Sequence, residues 1–307
     1  MAGALTLRFS TQAQLDIRRM TRDLSDLQAQ VASGAKAKDL QGFGGAAGQL
    51  LNAQSLKSTA DAHISVITQL EARFGVQASA QSQVANAAGL LAQTIRDAIS
   101  ANDGRGIAVD LPMSFSSIVS ALNETWNGQP LFAGERQSGS PVKINSLDEL
   151  MAAAGPDDVF DESTRYQTID LGSGVPIKLA DKASDMAQPL FDTIKQLKSL
   201  LDGSGGTIGA PISTTQTDTL TVIAEQLERE ANDFTSAEGR TGQLQTRFSA
   251  ERVRLQDRSN LLLKEIGDQA DADIAEISVQ INSLLVQYQA SAKVFADLSQ
   301  LSLLDYL

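Results

Sequence analysis

The chain has 307 residues, no cysteine, a single histidine and a formal net charge of −12. The lack of cysteine excludes disulfides, thiolate nucleophiles and cysteine-ligated metals, and one histidine excludes zinc sites built from several histidines. An acidic chain without a basic stripe is also a poor candidate for binding nucleic-acid phosphates.

The first predicted element is a helix that begins at Ser10 or Thr11 and ends at Ser33-Gly34. Apolar residues recur along it at alternating steps of four and three, which is the spacing of a coiled-coil seam. These positions are Ala13, Ile17, Met20, Leu24, Leu27 and Val31.

A glycine-rich link follows the first helix. Its segment 42–47 matches a dinucleotide-binding fingerprint in letters, but that fingerprint needs a preceding strand and here a helix precedes it. We interpret the segment as a flexible link. A long helix over 49–100 comes next, and about 50 helical residues span roughly 75 Å. His63 lies on its apolar stripe, which favours a packed or half-buried residue over a catalytic one.

A further helix is predicted over 109–126, and the residue composition changes after it. Glycine and proline cluster from 129 to 210, and strand-like pieces appear at 130–133 and 142–144. Residues 166–171 and 175–179 are predicted to form a hairpin around the Gly172-Ser173-Gly174 loop. Short helices are expected at 146–154 and 183–201, followed by a flexible connector at 203–209.

Helices are predicted again at 213–237 and 241–304, the second with an interruption at Gly267. The last helix carries a second seam at steps of three and four. Its positions are Ile274, Ile277, Ile281, Leu284, Tyr288, Ser291, Phe295 and Leu298.

The predicted fold is mainly α: a long antiparallel helical bundle or coiled coil from the N- and C-terminal segments, with a small mixed α/β domain inserted in the middle. The expected division is an N-terminal assembly helix and linker (1–48), a helical arm in two halves (49–128 and 211–265), the inserted domain (129–210) and a C-terminal assembly helix (266–307).

The sequence contains no clear arrangement of catalytic residues. Asp157, Asp158, Asp161 and Glu162 form the densest acidic cluster, but their spacing is not that of a calcium-binding loop, and a solvated surface loop is the simpler interpretation. We therefore expect no enzyme activity, no catalytic residues, no metal site and no cofactor.

The two terminal seams are the candidate functional residues. A two-helix stalk is marginally stable alone and is stabilised by lateral packing in an assembly, so we expect these seams to pack between subunits. The predicted assembly interface comprises Ile17, Met20, Leu24, Leu27, Val31, Ile274, Ile277, Ile281, Leu284, Tyr288, Phe295 and Leu298.

Short motifs near both ends resemble the flagellin family, and within it the branch that joins the flagellar hook to the filament (hook-associated protein 3). The opening 7–11 is similar to an Arg-Ile-Ser-Thr start, and 32–36 to the turn that ends the family's first helix. The other matching segments are Leu131–Gly134 after Asn127-Gly128, Gly242 to Phe248, and the Leu-Ser-Leu-Leu-Asp-Tyr-Leu ending at 301–307. The Asp-Asp-Pro or Asp-Asp-Ala element usual after the first turn is replaced by 41–45.

The resemblance implies a structural subunit of the bacterial flagellum that joins hook to filament by coiled-coil packing of its terminal helices. It implies secretion through the flagellar type III channel, which agrees with the lack of an ordinary signal peptide in the first 15 residues. Implied partners are copies of the chain in a ring, the neighbouring hook-associated protein, flagellin, and a cytoplasmic export chaperone on the C-terminal helix; neither nucleic acid nor membrane insertion is implied.

Two alternatives stay open at this point. A filament-forming flagellin would share the same terminal helices but would polymerise indefinitely. A glycan-binding or enzymatic middle domain is more remote, because 129–210 offers few aromatic residues and only loop carboxylates.

Overall fold

The computed structural model describes residues 2–170 and 176–304, and it confirms a mainly helical chain whose longest helices pack antiparallel. Four two-residue strands form two small hairpins within the described residues. The elements are α1 (Ala2–Ser33), a 3₁₀ helix (Leu40–Ala46), α2 (Ala47–Ala101), α3 (Arg105–Leu122), β1 (Thr125–Trp126), β2 (Gln129–Pro130), α4 (Leu147–Ala152), α5 (Pro156–Val159), β3 (Thr168–Ile169), β4 (Ile177–Lys178), α6 (Ala183–Gly203), α7 (Thr214–Ala270) and α8 (Ile274–Leu304).

The chain forms two compact units. The central unit comprises His63–Arg254, and the terminal unit combines the residues before and after it, up to Ala62 and from Leu255 onward. The middle of the chain therefore folds as one body, and the two ends fold together as another.

In the central unit, α2 and α7 run antiparallel with a register that their polar contacts define. As the contacting residues of α2 increase in number, their partners on α7 decrease in number. Glu71 pairs with Arg252 at 3.1 Å, Gln77 donates to Thr241 Oγ1 at 3.1 Å, and Arg96 pairs with Glu228.

A layer of buried polar side chains lies in this helix pair. Gln77, Gln81 and Thr241 are each only 2% exposed. Thr241 Oγ1 accepts from Gln77 and lies 2.9 Å from Gln81 Oε1, to which its hydroxyl donates. Gln77 Oε1 has no partner among the described residues, but a shift of register would also break the two bonds through Thr241; because each unsatisfied buried group costs about 1–3 kcal/mol, the layer favours this register.

The apolar core of the central unit joins α2, α3, α6 and α7 to the small hairpins. Phe191 of α6 lies at its middle, with ring centroids 5.9 Å from Phe115 of α3 and 5.6 Å from Phe160. Asn123 ends α3 and also holds the neighbouring segment, since its side chain accepts from Val142 N and donates to Val142 O. The core therefore extends from the long helices into the inserted segment.

Both hairpins are short. β1 and β2 pair antiparallel around Asn127-Gly128, whose φ angles of 50° and 76° give the turn the left-handed backbone that asparagine and glycine tolerate. β3 and β4 pair antiparallel, which confirms the predicted hairpin; its loop at 171–175 lies outside the described residues. At 142–144, Val142 forms an isolated bridge to Phe160 in place of a full strand.

Several predicted helix boundaries are wrong. α1 begins at Ala2, so neither Ser10 nor Thr11 caps it, and α3 covers Arg105–Leu122 because the chain after Asn123 turns into β1. α7 continues through Gly239, where a break was expected, because burial of the adjacent Ala237 and Thr241 offsets the roughly 1 kcal/mol that one helical glycine costs.

Glu230 of α7 is a titratable group built into the central unit. Its Oε1 accepts from Thr193 Oγ1 at 2.7 Å, while Oε2 is buried without a hydrogen-bond partner among the described residues. Burial raises the pKa of Glu230 from 4.5 to about 7. A folded-state pKa above the unfolded value means that this group's contribution to stability is complete below pH 4.5 and is lost as the pH rises through 7.

We therefore expect Glu230→Gln to leave the thermal unfolding midpoint unchanged near pH 4 and to raise it by about 2–4 °C at pH 8, relative to the unsubstituted protein. The measurement is near-ultraviolet circular dichroism of Trp126, which reports on the central unit. Exposed Glu225→Gln on the same helix is the control and should give no pH-dependent difference. Equal shifts in the two variants would contradict a buried Glu230 whose pKa is raised to about 7.

Candidate assembly surface of the terminal helices

The terminal unit is organised around a main-chain clip between the end of α1 and the break after α7. Lys36 N donates to Ala270 O at 2.7 Å, and Ala272 N donates to Gly34 O at 2.8 Å. Lys36 Nζ adds a third bond, to Asp268 O at 2.7 Å. Gly34, with φ of 70°, supplies the left-handed residue that ends α1, as the Ser33-Gly34 signal predicts.

The same clip explains where α7 ends. The sequence predicts an interruption at Gly267, but the helix continues to Ala270, and α8 begins at Ile274. Asp273 caps the new helix, because its Oδ1 accepts from Ala275 N at 3.0 Å and Glu276 N at 3.1 Å. The break therefore lies at 271–273, where the end of α1 is bonded to it.

Helices α1 and α8 pack against each other, starting from the clip. Because the C-terminal end of α1 meets the N-terminal end of α8 there, the two helices run antiparallel. The predicted seams form the more buried sides of both helices. Ile277 is 6% exposed; Ile17, Met20, Leu24, Leu27, Ile281, Leu284 and Phe295 are half-buried; Val31, Ile274 and Tyr288 are 39%, 45% and 37% exposed. The side chains of Ala13 and Leu298 lie outside the described set.

A second apolar stripe on α8 was missed by the sequence reasoning. Val279 and Val286 are 68% and 66% exposed, and at 100° per residue they project from the side opposite to Ile277 and Ile281. Their spacing of seven residues indicates one face of a helix. It was missed because the seam on the same helix has more members. We call Val279 and Val286 the outer stripe.

Large apolar side chains are also exposed where α2 and α7 contribute to the terminal unit. Leu51, Leu261 and Leu263 are 48%, 67% and 55% exposed. In the same unit, Ser259 Oγ donates to Asp61 at 2.6 Å, and hydrogen bonds from Lys57 and Ser259 lower the pKa of Asp61. The terminal unit thus combines the α1–α8 helix pair with much unburied apolar surface, which is typical of a protein–protein contact.

The other sequence candidates are not brought together as a chemical site. His63 is half-buried in α2, and the glycine-rich segment forms a 3₁₀ helix capped by Asp39 instead of following a strand. In the acidic cluster, Asp161 pairs with Arg136 while Glu162 pairs with Lys182 at 3.1 Å, so the carboxylates do not converge. Among the described residues, no three histidine, aspartate or glutamate side chains are grouped as metal ligands would be.

The length and composition of the helices show whether any of them could cross a membrane. Within 2–170 and 176–304, none of the helices combines the length and apolarity needed to cross a membrane.

Comparison with known proteins agrees with this architecture. Residues 224–307 match the model of the bacterial flagellin C-terminal helical region, which covers most of α7 and all of α8. The chain therefore carries a flagellin-type C-terminal region, and the resemblance read from its terminal motifs is confirmed. Comparison with curated protein sequences finds no match.

Two solved structures share the fold. One is from Vibrio parahaemolyticus and is described as a flagellar hook-associated protein; it has 14% identity and a TM-score of 0.58, covering 73% of this chain and 96% of that one. The other is FlgL of Bacillus cereus, with 12% identity and a TM-score of 0.51, covering 66% of this chain and 98% of that one. At these identities the likeness is one of fold.

The paired helices make a testable prediction about the free monomer. Ile277→Ala removes the most buried seam side chain of α8 and should weaken the α1–α8 pair by about 2 kcal/mol, or roughly 30-fold in amide hydrogen exchange of both helices. Val279→Ala, two residues away and exposed, should leave exchange unchanged. Faster exchange confined to α8 would show that α1 does not depend on this seam.

Proposed function

We propose that this protein is a structural subunit of the bacterial flagellum that joins the hook to the filament. The observation that carries the proposal is the α1–α8 pair with its outer stripe, in a chain whose residues 224–307 match a flagellin C-terminal region. The fold likeness to a protein described as flagellar hook-associated is consistent with a position at the hook.

The energetic argument concerns the unburied surface of the terminal unit. Fully burying a valine or leucine side chain contributes about 1.5–3 kcal/mol. Val279, Val286, Leu261 and Leu263 are more than half exposed, so contact with neighbouring copies would add a stabilisation that the monomer lacks. The seams were expected to pack between subunits, but within one chain they lie between α1 and α8, so this proposal assigns the contacts between subunits to the surfaces that remain exposed.

The proposed partners follow from that role. They are copies of the chain in a ring, the neighbouring hook-associated protein on one side and flagellin on the other. We further propose export through the flagellar type III channel, with a cytoplasmic chaperone covering α8 beforehand because its apolar stripes would otherwise promote aggregation. The location would be outside the cell, at the hook–filament junction.

A filament-forming flagellin is the second candidate, and the flagellin C-terminal match favours it. The two roles differ in whether growth stops. A filament subunit adds to copies of itself without limit, whereas a junction subunit adds to the hook and then accepts a different protein.

Electron microscopy of the purified protein, alone and mixed with isolated hooks, separates these roles. We expect monomers alone, and hook ends that are capped and then support filament growth from added flagellin. Long filaments from the protein alone would replace the junction role with that of a flagellin. Monomers that ignore hooks would contradict both.

Charge substitutions test which surfaces carry the assembly. We expect Ile281→Glu with Leu284→Glu to abolish hook capping because the α1–α8 pair is lost, while the circular dichroism of Trp126 shows an intact central unit. Val279→Glu with Val286→Glu should also abolish capping, but with normal amide protection of α1 and α8 in the monomer.

Gln280→Glu with Gln287→Glu is the matched control for both variants. It adds the same charge at exposed polar positions with the same seven-residue spacing as the outer stripe, about 90° around the helix from both the seam and the outer stripe, and should cap hooks normally. Normal capping by the Ile281/Leu284 variant would remove the seam from the mechanism, and normal capping by the Val279/Val286 variant would remove the outer stripe.

A further inference from the structure

Arg73 of α2 is a buried cation in the central unit. It is only 7% exposed, and its Nη2 donates to Gln167 Oε1 at 2.6 Å and to the Leu131 carbonyl at 3.4 Å. Both of these acceptors are neutral. Among the described residues, no carboxylate lies within ion-pair distance of the guanidinium, and Nη1 is fully buried without a hydrogen-bond partner.

The carboxylate nearest to Arg73 along α2 does not neutralise it. Glu71 lies two residues from Arg73, but side chains at i and i+2 diverge on a helix, and Glu71 pairs instead with Arg252 of α7. Arg73 is therefore left with a buried charge and incomplete hydrogen bonding, and burial lowers its pKa. A buried charge is costly unless a counter-charge and further hydrogen bonds compensate it.

A pocket of about 400 Å³ borders Arg73 and lies wholly within the central unit. Its lining includes the half-buried indole of Trp126 and four side-chain amides, and it contains no aspartate or glutamate. The four amides are those of Gln69, Asn127, Gln129 and Gln167.

This combination defines the chemistry of an occupant. A guanidinium without a counter-ion calls for a carboxylate, and because Nη1 is fully buried, a carboxylate in the pocket would accept from Nη2 in place of the Gln167 amide. Amide side chains both donate and accept, as hydroxyl groups do, and an indole offers a flat apolar surface beside them. A carboxylate, several hydroxyls and an apolar ring face occur together in an acidic sugar.

We propose that the Arg73–Trp126 pocket binds an acidic sugar of the uronic-acid class, with its carboxylate on Arg73. The four amides receive the hydroxyl groups, and Trp126 covers one face of the sugar ring. This site lies in the central unit and does not depend on the proposed junction role, so either proposal can fail without the other.

Trp126 is the only tryptophan of the 307 residues, so its fluorescence reports directly on the pocket. The probe is an oligogalacturonate added to the full chain, with the neutral galactose oligomer of equal length as the matched ligand and sodium acetate as the free carboxylate. We expect a saturable change in emission with the oligogalacturonate, at least tenfold weaker binding of the neutral oligomer, and no saturation with acetate.

Variants locate the carboxylate. Arg73→Gln should weaken oligogalacturonate binding at least tenfold and remove the preference over the neutral oligomer. Gln129→Ala, at an exposed edge of the pocket, should weaken both oligomers alike and covers the case in which Arg73→Gln fails to fold. Arg247→Gln removes an exposed arginine of α7 outside this pocket and should bind normally.

The proposal is overturned by the absence of a saturable response to oligogalacturonate, by equal binding of the neutral oligomer, or by unchanged binding of oligogalacturonate to Arg73→Gln. A Trp126 response that appears only when the protein attaches to hooks would also overturn it, because the pocket would then be filled by an acidic side chain of another protein molecule.

Discussion

The hydrogen-bonded layer of Gln77, Gln81 and Thr241 is the constraint on which the central unit depends. The contact surface of α2 is rich in alanine, and a helix that packs against small, repeated side chains can shift its register at little apolar cost. Buried amides remove that freedom, because only one register places the Thr241 hydroxyl between the two glutamines. The ion pairs of Glu71 with Arg252 and Arg96 with Glu228 occur in the same register.

The two units of the chain differ in how completely they bury apolar surface. The central unit has phenylalanine, isoleucine and leucine side chains that are almost fully buried, and the rings of Phe115 and Phe160 pack against Phe191. The terminal unit buries far fewer large apolar side chains among the described residues and leaves valines and leucines of α7 and α8 more than half exposed; the central unit also exposes Leu90, Val109 and Val222, but above a much larger core. This distribution agrees with the proposed role, in which neighbouring copies would cover the apolar surface of the terminal helices.

Much of the helical framework was predictable because it rests on local signals. The long α2, the start of α6 at Ala183 and the end of α1 at Ser33-Gly34 follow from periodicity and from glycine at a helix end. The break after Ala270 was misplaced because bonds to Gly34 and Lys36, more than two hundred residues earlier, define it. A contact between residues so far apart in the chain cannot be predicted from the sequence around either of them.

The seams and the Arg73 pocket also differ in how far the sequence predicts them. The seams of α1 and α8 are visible in the sequence because each is a repeat within one helix. The Arg73 pocket is not, since it combines α2, the turn after β1 and the segment before β3. In the sequence Arg73 is one more charged residue between apolar positions, and only the packing of Leu131 and Gln167 against it shows that its charge is buried.

The clip between Gly34–Lys36 and Ala270–Ala272 changes the entropy of pairing the chain ends. The end of α1 and the start of α8 are separated by about 240 residues of chain, and closing so long a loop costs about 4 kcal/mol more than closing a hairpin of three residues. Once α2, α7 and the clip have formed, the two tails start from adjacent points, so the closure cost has already been met. The tails then meet as the arms of a short helical hairpin would, at a high effective concentration set by the clip.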